Sequence, residues 1–352
     1  MLKFSFYLVL SLLGSILAFL SVQAQSDTSN FKNTLIYPSY HSPIIAGKSS
    51  IYSASFEMAW VNFKNKILKE PIQLKNKVDW AENLNQLAIC ENISPQYCLA
   101  EVGFGKDNII QKIKNRLKKE FNVDEISLPK VGKDELLFFS YLKKDVLFFR
   151  NFTSTYDDSK LVFNQEKAVN YFGLKRGLNH PTVKEKIKIY DYLNQNDFIF
   201  QISTKTEKDE LFFAKVKPFN TLIDTYSAVM SRIDSNKIEY FVNQDQLFIP
   251  YISFNFTKNY EELIDNQILN QNCKNCLIKR ATQTIDFDLN EEGVFLKDYI
   301  INEIEMSLDT IKKEPRKFIF DKPFLIIMKE KDKPLPYFLM WVGNSDLMQM
   351  DE

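Results

Sequence analysis

Glycine is scarce, at 9 of 352 residues, which excludes a chain dominated by loops and tight turns. Histidine is scarcer. His41 and His180 are the only two, so a His-rich metal site is excluded and each is read as an ordinary polar residue. No Gly-x-Ser-x-Gly is present, so the strand–turn–helix nucleophile motif is missing. Gly47-Lys48-Ser49 lacks the upstream glycine of a phosphate loop, because Ser42 stands in its place. An excess of one charge is also absent. Lys+Arg and Asp+Glu are equal at 45 each, so global charge draws neither nucleic acid nor an anionic surface. No Pro/Gly/Ser-rich linker, repeat or low-complexity tract interrupts the chain, which reads as one domain over 25–352.

One apolar run stands out at the start. Lys3 precedes the apolar stretch Phe4 to Leu20, which is broken by Ser11, Gly14 and Ser15, and Val22-Gln23-Ala24 is a small-x-small cleavage site. Residues 1–24 therefore read as a secretory signal peptide rather than a membrane anchor. No cysteine follows that would carry a lipoprotein anchor, and no second run is long enough to span a bilayer. The expected location is secreted or periplasmic, with no membrane association after leader removal. Asn92, Asn151 and Asn255 lie in Asn-x-Ser/Thr sequons, which matter in a glycosylating host.

The cysteines, 4 in all, form two close pairs: Cys90 with Cys98, and Cys273 with Cys276. In an exported chain an even count points first to structural disulfides. A four-thiolate zinc site and a redox Cys-x-x-Cys are the alternatives. The 30 Phe and 16 Tyr call for a large aromatic core or several packed sheets.

Periodicity places both helices and strands. Ser50 to Leu68 carries helical spacing through Phe56, Met58, Ala59, Trp60, Phe63 and Ile67. Lys106 to Phe121 is amphipathic, with Ile109, Ile110, Ile113, Leu117 and Phe121 on one face. Leu136 to Leu142 and Val146 to Phe149 are apolar runs joined by a turn at Lys143-Lys144-Asp145. Phe198 to Ile202 and Leu211 to Val216 are further strands separated by a charged turn. The class is α+β.

Near the end, the alternating Phe318-Ile319-Phe320 enters Asp321-Lys322-Pro323, and Phe324-Leu325-Ile326-Ile327-Met328 follows without a polar residue. Such a run is a strand covered on both faces. Lys329 to Pro334 reads as a charged turn, and Tyr337 to Val342 as a second buried strand. At every position from Phe318 to Met328, this order resembles the C-terminal signature of the serpin family. Two upstream segments match in the same order. Leu247-Phe248-Ile249-Pro250-Tyr251-Ile252-Ser253-Phe254, followed by Tyr260 and Leu263, resembles the serpin strand that carries a proline and an aromatic residue. Ile285, Phe287 and Leu289 alternate with Asp286, Asp288 and Asn290, and Asn290-Glu291-Glu292-Gly293 resembles the end of the strand feeding the reactive loop. A calcium loop fails there, since Glu291 and Lys297 occupy the places of its glycine and its last glutamate. Other features depart from the family. No Asn-x-x-Tyr/Phe-Phe-Lys-Gly-x-Trp segment exists, and Met340 stands where serpins usually have glycine.

The resemblance implies a serpin-like fold with several β-sheets, surrounding helices and a buried C-terminal β-hairpin. It also implies a reactive-loop hinge at Glu291, Glu292, Gly293 and Val294. The candidate reactive loop comprises Asn302, Glu303, Glu305, Met306, Ser307, Leu308, Lys312 and Lys313. It gives Lys112, Lys114, Arg116, Lys118 and Lys119 a reading as a polyanion patch, against that of a solvated helix face. Inhibitory serpins insert the cut loop into a sheet and place threonine and alanines in its hinge. Here Val294-Phe295-Leu296-Lys297-Asp298-Tyr299 contains no small residue, and insertion would carry Asp298 inward. The expectation is a non-inhibitory or atypical relative that binds a protein partner, without cofactor or metal. A serine or cysteine protease inhibitor using 294–317 is the alternative, and an exported enzyme the third reading.

Overall fold

The computed structural model describes residues 26–27 and 31–351, apart from 88–91, 125, 129, 150, 155–159, 177–183, 207, 274–275 and 296–313. The expected leader and the residues Asn302, Glu303, Glu305, Met306, Ser307, Leu308, Lys312 and Lys313 lie outside the described residues, as do Cys90 and His180.

The apolar C-terminal runs form the middle of an eight-stranded sheet. Its order is β14 (Glu239–Tyr240), β11 (Ile187–Asn194), β12 (Asp197–Ser203), β13 (Asp209–Lys215), β20 (Phe324–Glu330), β21 (Phe338–Val342), β3 (Ser49–Ser53) and β2 (Thr34–Tyr37). β20 and β21 pair antiparallel from Phe324↔Val342 to Met328↔Phe338, and every residue of both is buried. That follows from cover on both faces. On one side lies helix α4 (Leu222–Ser235), which packs on β11 and β21 and is capped by Thr221 Oγ1 accepting from the Asp224 amide at 3.1 Å. On the other lies the second large sheet, with Phe287 stacked on Phe338 at 5.0 Å between ring centres.

That second sheet has seven strands. β17 (Leu277–Asn290) is its axis. On one edge it pairs β16 (Ile252–Asn259), outside which lies β1 (Ser26–Asp27). On the other edge it pairs first β5 (Glu135–Leu142), in parallel, and then β18 (Gly293–Phe295). β4 (Cys98–Phe104) flanks β5, and β6 (Val146–Leu147) flanks β18. A four-stranded sheet runs β19 (Lys317–Ile319), β15 (Gln246–Pro250), β10 (Tyr171–Leu174) and β7 (Thr153–Ser154). β8 (Leu161–Phe163) and β9 (Lys167–Val169) form a separate hairpin.

The pleat of β5 explains the helix positions. Leu136 and Phe138 point to α1 (Ala54–Asn62), where Phe56, Ala59 and Trp60, with Phe63 just after the helix, join them in one core together with Leu84 of α2 (Asp79–Gln86). Leu137, Phe139 and Tyr141 point to α3 (Ile109–Phe121) and meet Ile109, Ile113, Leu117 and Phe121. The expected helix over 50–68 is corrected at its start. Ser49–Ser53 is a strand wedged between β2 and β21, because two sheet partners outweigh the helical spacing. Only from Ala54 does the chain turn, with the Ser53 hydroxyl accepting from the Ser55 amide.

The charged turn expected at Lys329–Pro334 is also corrected. Lys329 and Glu330 belong to β20 and are buried. Of the cysteines, Cys273 and Cys276 are disulfide-bonded, with Cα atoms 5.4 Å apart. Cys98 is not: it is a free, buried thiol at the start of β4, seated among the apolar residues between the sheets. The expected Cys90–Cys98 bridge is therefore not formed at Cys98, and Cys90 lies outside the described residues. Burial pushes the Cys98 thiol up to about 12, which leaves it protonated and inert.

Candidate functional site

The edge of β17 changes partner along its length. β5 holds it from Leu277↔Glu135 to Ile285↔Leu142. Beyond Asp286 and Phe287, β18 takes over, with Asp288↔Phe295, Leu289↔Val294 and Asn290↔Gly293. The far edge of β18 pairs β6 through Gly293↔Leu147 and Val294↔Val146. The result is a fork in which β18 sits between two strands of one sheet.

The residues expected for the hinge, Glu291, Glu292, Gly293 and Val294, are all at this fork. Glu291 and Glu292 make the turn. Their carbonyls accept from the Phe152 amide at 2.8 Å and the Phe148 amide at 2.9 Å. Gly293 has φ +151°, and a Cβ there would stand 2.6 Å from the Val146 carbonyl oxygen and 2.7 Å from the Leu147 Cα. Only glycine fits that approach. Val294 is 2% exposed, its side chain in the core between the sheets.

The link from β5 to β6, Lys143-Lys144-Asp145, is charged at every position. Lys144 is buried, contrary to the expected turn. Its Nζ pairs with Asp209 Oδ1 on β13 at 2.6 Å and Glu330 Oε1 on β20 at 2.7 Å. The ammonium also lies 4.1 Å from the Tyr97 ring centre and 4.6 Å from that of Tyr337. Glu330 Oε2 accepts from the Ser94 hydroxyl at 2.7 Å. Burial alone would raise the Glu330 carboxyl, but the bonds from Lys144 and Ser94 hold it below the usual carboxylate range. Asp145 is different. Burial, reinforced by Asp286, lifts it to about 7 against the opposing pull of Lys143.

Lower in the sheet, Gln283 of β17 is fully buried. Its Nε2 donates to the Ser53 carbonyl at 3.1 Å and Ser55 Oγ at 3.0 Å, while its Oε1 accepts from the Tyr260 hydroxyl at 2.5 Å. This ties the sheet to the start of α1.

The described chain resumes after 313 and is fixed at Arg316. The guanidinium donates to Asp245 Oδ2 at 2.7 Å, Glu239 Oε2 at 2.6 Å and the Tyr240 carbonyl at 2.9 Å. The Asp245 side chain is wholly buried. Lys144, Gln283 and Arg316 all escaped the sequence reading.

The basic residues of α3 are largely engaged. Lys112 pairs with Glu101 at 2.7 Å, Arg116 with Glu101 and Glu120, and Lys118 with Asp124 at 2.8 Å. Lys114 and Lys119 are exposed and have no ion pair among the described residues. The described residues contain no group of three or more His, Cys, Asp or Glu able to hold a metal ion. No described helix is long and apolar enough to cross a membrane.

No protein-family model matches the chain, and no curated protein matches it by sequence. The fold does match solved structures. Human thyroxine-binding globulin complexed with its hormone aligns at a TM-score of 0.53 and 12% identity, over 85% of this chain and 92% of that one. A serine protease inhibitor from Manduca sexta, serpin-12, aligns at 0.51 and 12%, over 84% of this chain and 99% of that one. The chain therefore has a divergent serpin-like fold.

Proposed function

We propose that this serpin-like chain is exported and acts by binding a protein partner rather than by trapping a protease or catalysing a reaction. One observation carries the reading. β5 and β17 are hydrogen-bonded to each other directly below β18, so deeper insertion would have to part them. Val294 faces the core, and strand alternation would send Leu296, Asp298 and Ile300 into the same row. An unpaired buried carboxylate at Asp298 costs on the order of several kcal/mol. Phe295 and Tyr299 would fall on the opposite face of an inserted strand, and both are bulkier than the alanines that such insertion favours.

The competing reading is an inhibitor whose cleavage site lies within Asn302–Lys313. It is favoured by β18, which already enters the sheet between β17 and β6. Among the neighbours of the fold, one is complexed with thyroxine and another is named as a serine protease inhibitor. Incubation of the exported protein with serine and cysteine proteases separates the readings. The expected result is cleavage without an SDS-stable complex and without a large rise in melting temperature. A covalent complex with any protease would overturn the proposal. Polyanion binding has only Lys114 and Lys119 unengaged to support it, and is expected to be weak.

A further inference from the structure

We infer that Asp145 and Asp286 form an ionisation-controlled latch on β18: protonation of Asp145 seats the strand between β17 and β6, and ionisation loosens it. The inference does not depend on whether the chain inhibits proteases. Its basis is position. Asp286 is the residue of β17 just past Ile285, at the point where that edge passes from β5 to β18. Asp145 is the residue just before β6, the other strand holding β18. The two carboxylates thus line one notch. Asp145 Oδ1 is buried and has no hydrogen-bond partner among the described residues, so the Lys143 charge alone opposes its burial, without the direct bonds that Ser94 and Lys144 give Glu330.

The groups facing the notch reinforce this. Tyr141 on β5 is pushed upward, mainly by burial and then by Asp286 and Asp145. Asp288, two residues further along β17, is raised by burial against the lowering hydrogen bonds of Ser253 on β16 and Asn290, so it is engaged away from the notch. Among the described residues Lys143 is the cation that acts on Asp145, and its Nζ is also engaged by the Phe121 carbonyl at 3.3 Å. Lys144 points away, to Asp209 and Glu330. β6 and β18 carry no titratable side chain. Burial and Asp286 together place the Asp145 midpoint at about 7, so the latch would work near neutral pH.

The test is hydrogen exchange of the peptide covering 293–295, corrected for the intrinsic pH dependence of exchange, with the β20 peptide as internal reference. In the unaltered protein, protection of the 293–295 peptide should fall about tenfold between about pH 6 and pH 8, as expected for one proton released around neutrality. Asp145→Asn should keep the same protection at both. Asp286→Asn should fold with a lowered midpoint, moving the fall to more acidic pH. If protection is independent of pH in the unaltered protein, or if Asp286→Asn leaves the transition where it was, the latch does not exist. Should Asp145→Asn fail to fold, the Asp286→Asn shift decides the question alone.

Discussion

Upstream of 296–313, Gly293–Phe295 is held by main-chain pairing on both edges and by one buried valine. Downstream, Arg316 is held by its side chain, through Asp245, Glu239 and the Tyr240 carbonyl. The upstream contact is generic. Its hydrogen bonds come from backbone, so any segment able to adopt the register could replace it, and its strength depends on the strands beside it. The downstream contact is specific. A planar guanidinium in a fork of carboxylates cannot slide by one residue. One end of the segment is thus adjustable and the other is fixed.

The largest expected effect falls on the fork's support. Lys144→Met leaves Asp209 and Glu330 buried and unpaired, which should cost about 3–5 kcal/mol. Denaturant unfolding measures it. Adding Asp209→Asn and Glu330→Gln to the same chain should recover part of the loss, because no charge is then stranded. A cost below about 1 kcal/mol would mean that the pair is hydrated and the support weak.

Arg316→Ala should come next, at about 3 kcal/mol, since it strands Asp245 in the same way. It sharpens the comparison because it should free the downstream end while leaving exchange of the 293–295 peptide unchanged. Loss of protection at both ends would show that the two anchors are one cooperative unit. Gly293→Ala should do the reverse at about 1–3 kcal/mol, the scale of a strained backbone position. Its effect should be confined to the fork.

Legibility in the sequence followed the environment of each segment. The C-terminal hairpin was readable because Phe324–Met328 and Tyr337–Val342 leave no position for water, and that pattern has one physical meaning. β17 was readable from the alternation of Ile285, Phe287 and Leu289, and its end at Asn290–Gly293 from the resemblance to the strand that feeds the reactive loop. β3 was not, because Ser49–Ser53 merges into the helical spacing that begins at Ala54, and only its partners β2 and β21 distinguish them. Lys144 and Glu330 were hidden for a different reason. Each lies in a charged run that looks solvated, and their partnership spans 186 residues. The one available signal was the shortness of Lys143-Lys144-Asp145 between two apolar strands, which leaves little chain for reaching water. Arg316 carried no local signal at all.

The most direct contrast within the fork is in stability against pH. Two carboxylates there have opposite shifts. Asp145 is raised from 3.8 to about 7 in the folded chain, so the fold binds its proton more tightly than the unfolded chain does. Stability should therefore rise as pH falls from about 8 toward 4, and level off below the unfolded value. Glu330 is held below its ordinary 4.5, so its contribution is complete above that value and is lost as the pH falls through the depressed folded one. Together they predict a maximum of stability at about pH 4, close to the unfolded carboxyl values, with an alkaline arm owed to Asp145 and an acidic arm owed in part to Glu330. Melting temperatures across pH 3–9 should show the alkaline arm flattened in Asp145→Asn and the acidic arm reduced in Glu330→Gln. An alkaline arm that persists in Asp145→Asn would place the titrating group elsewhere and leave the fork without its pH dependence.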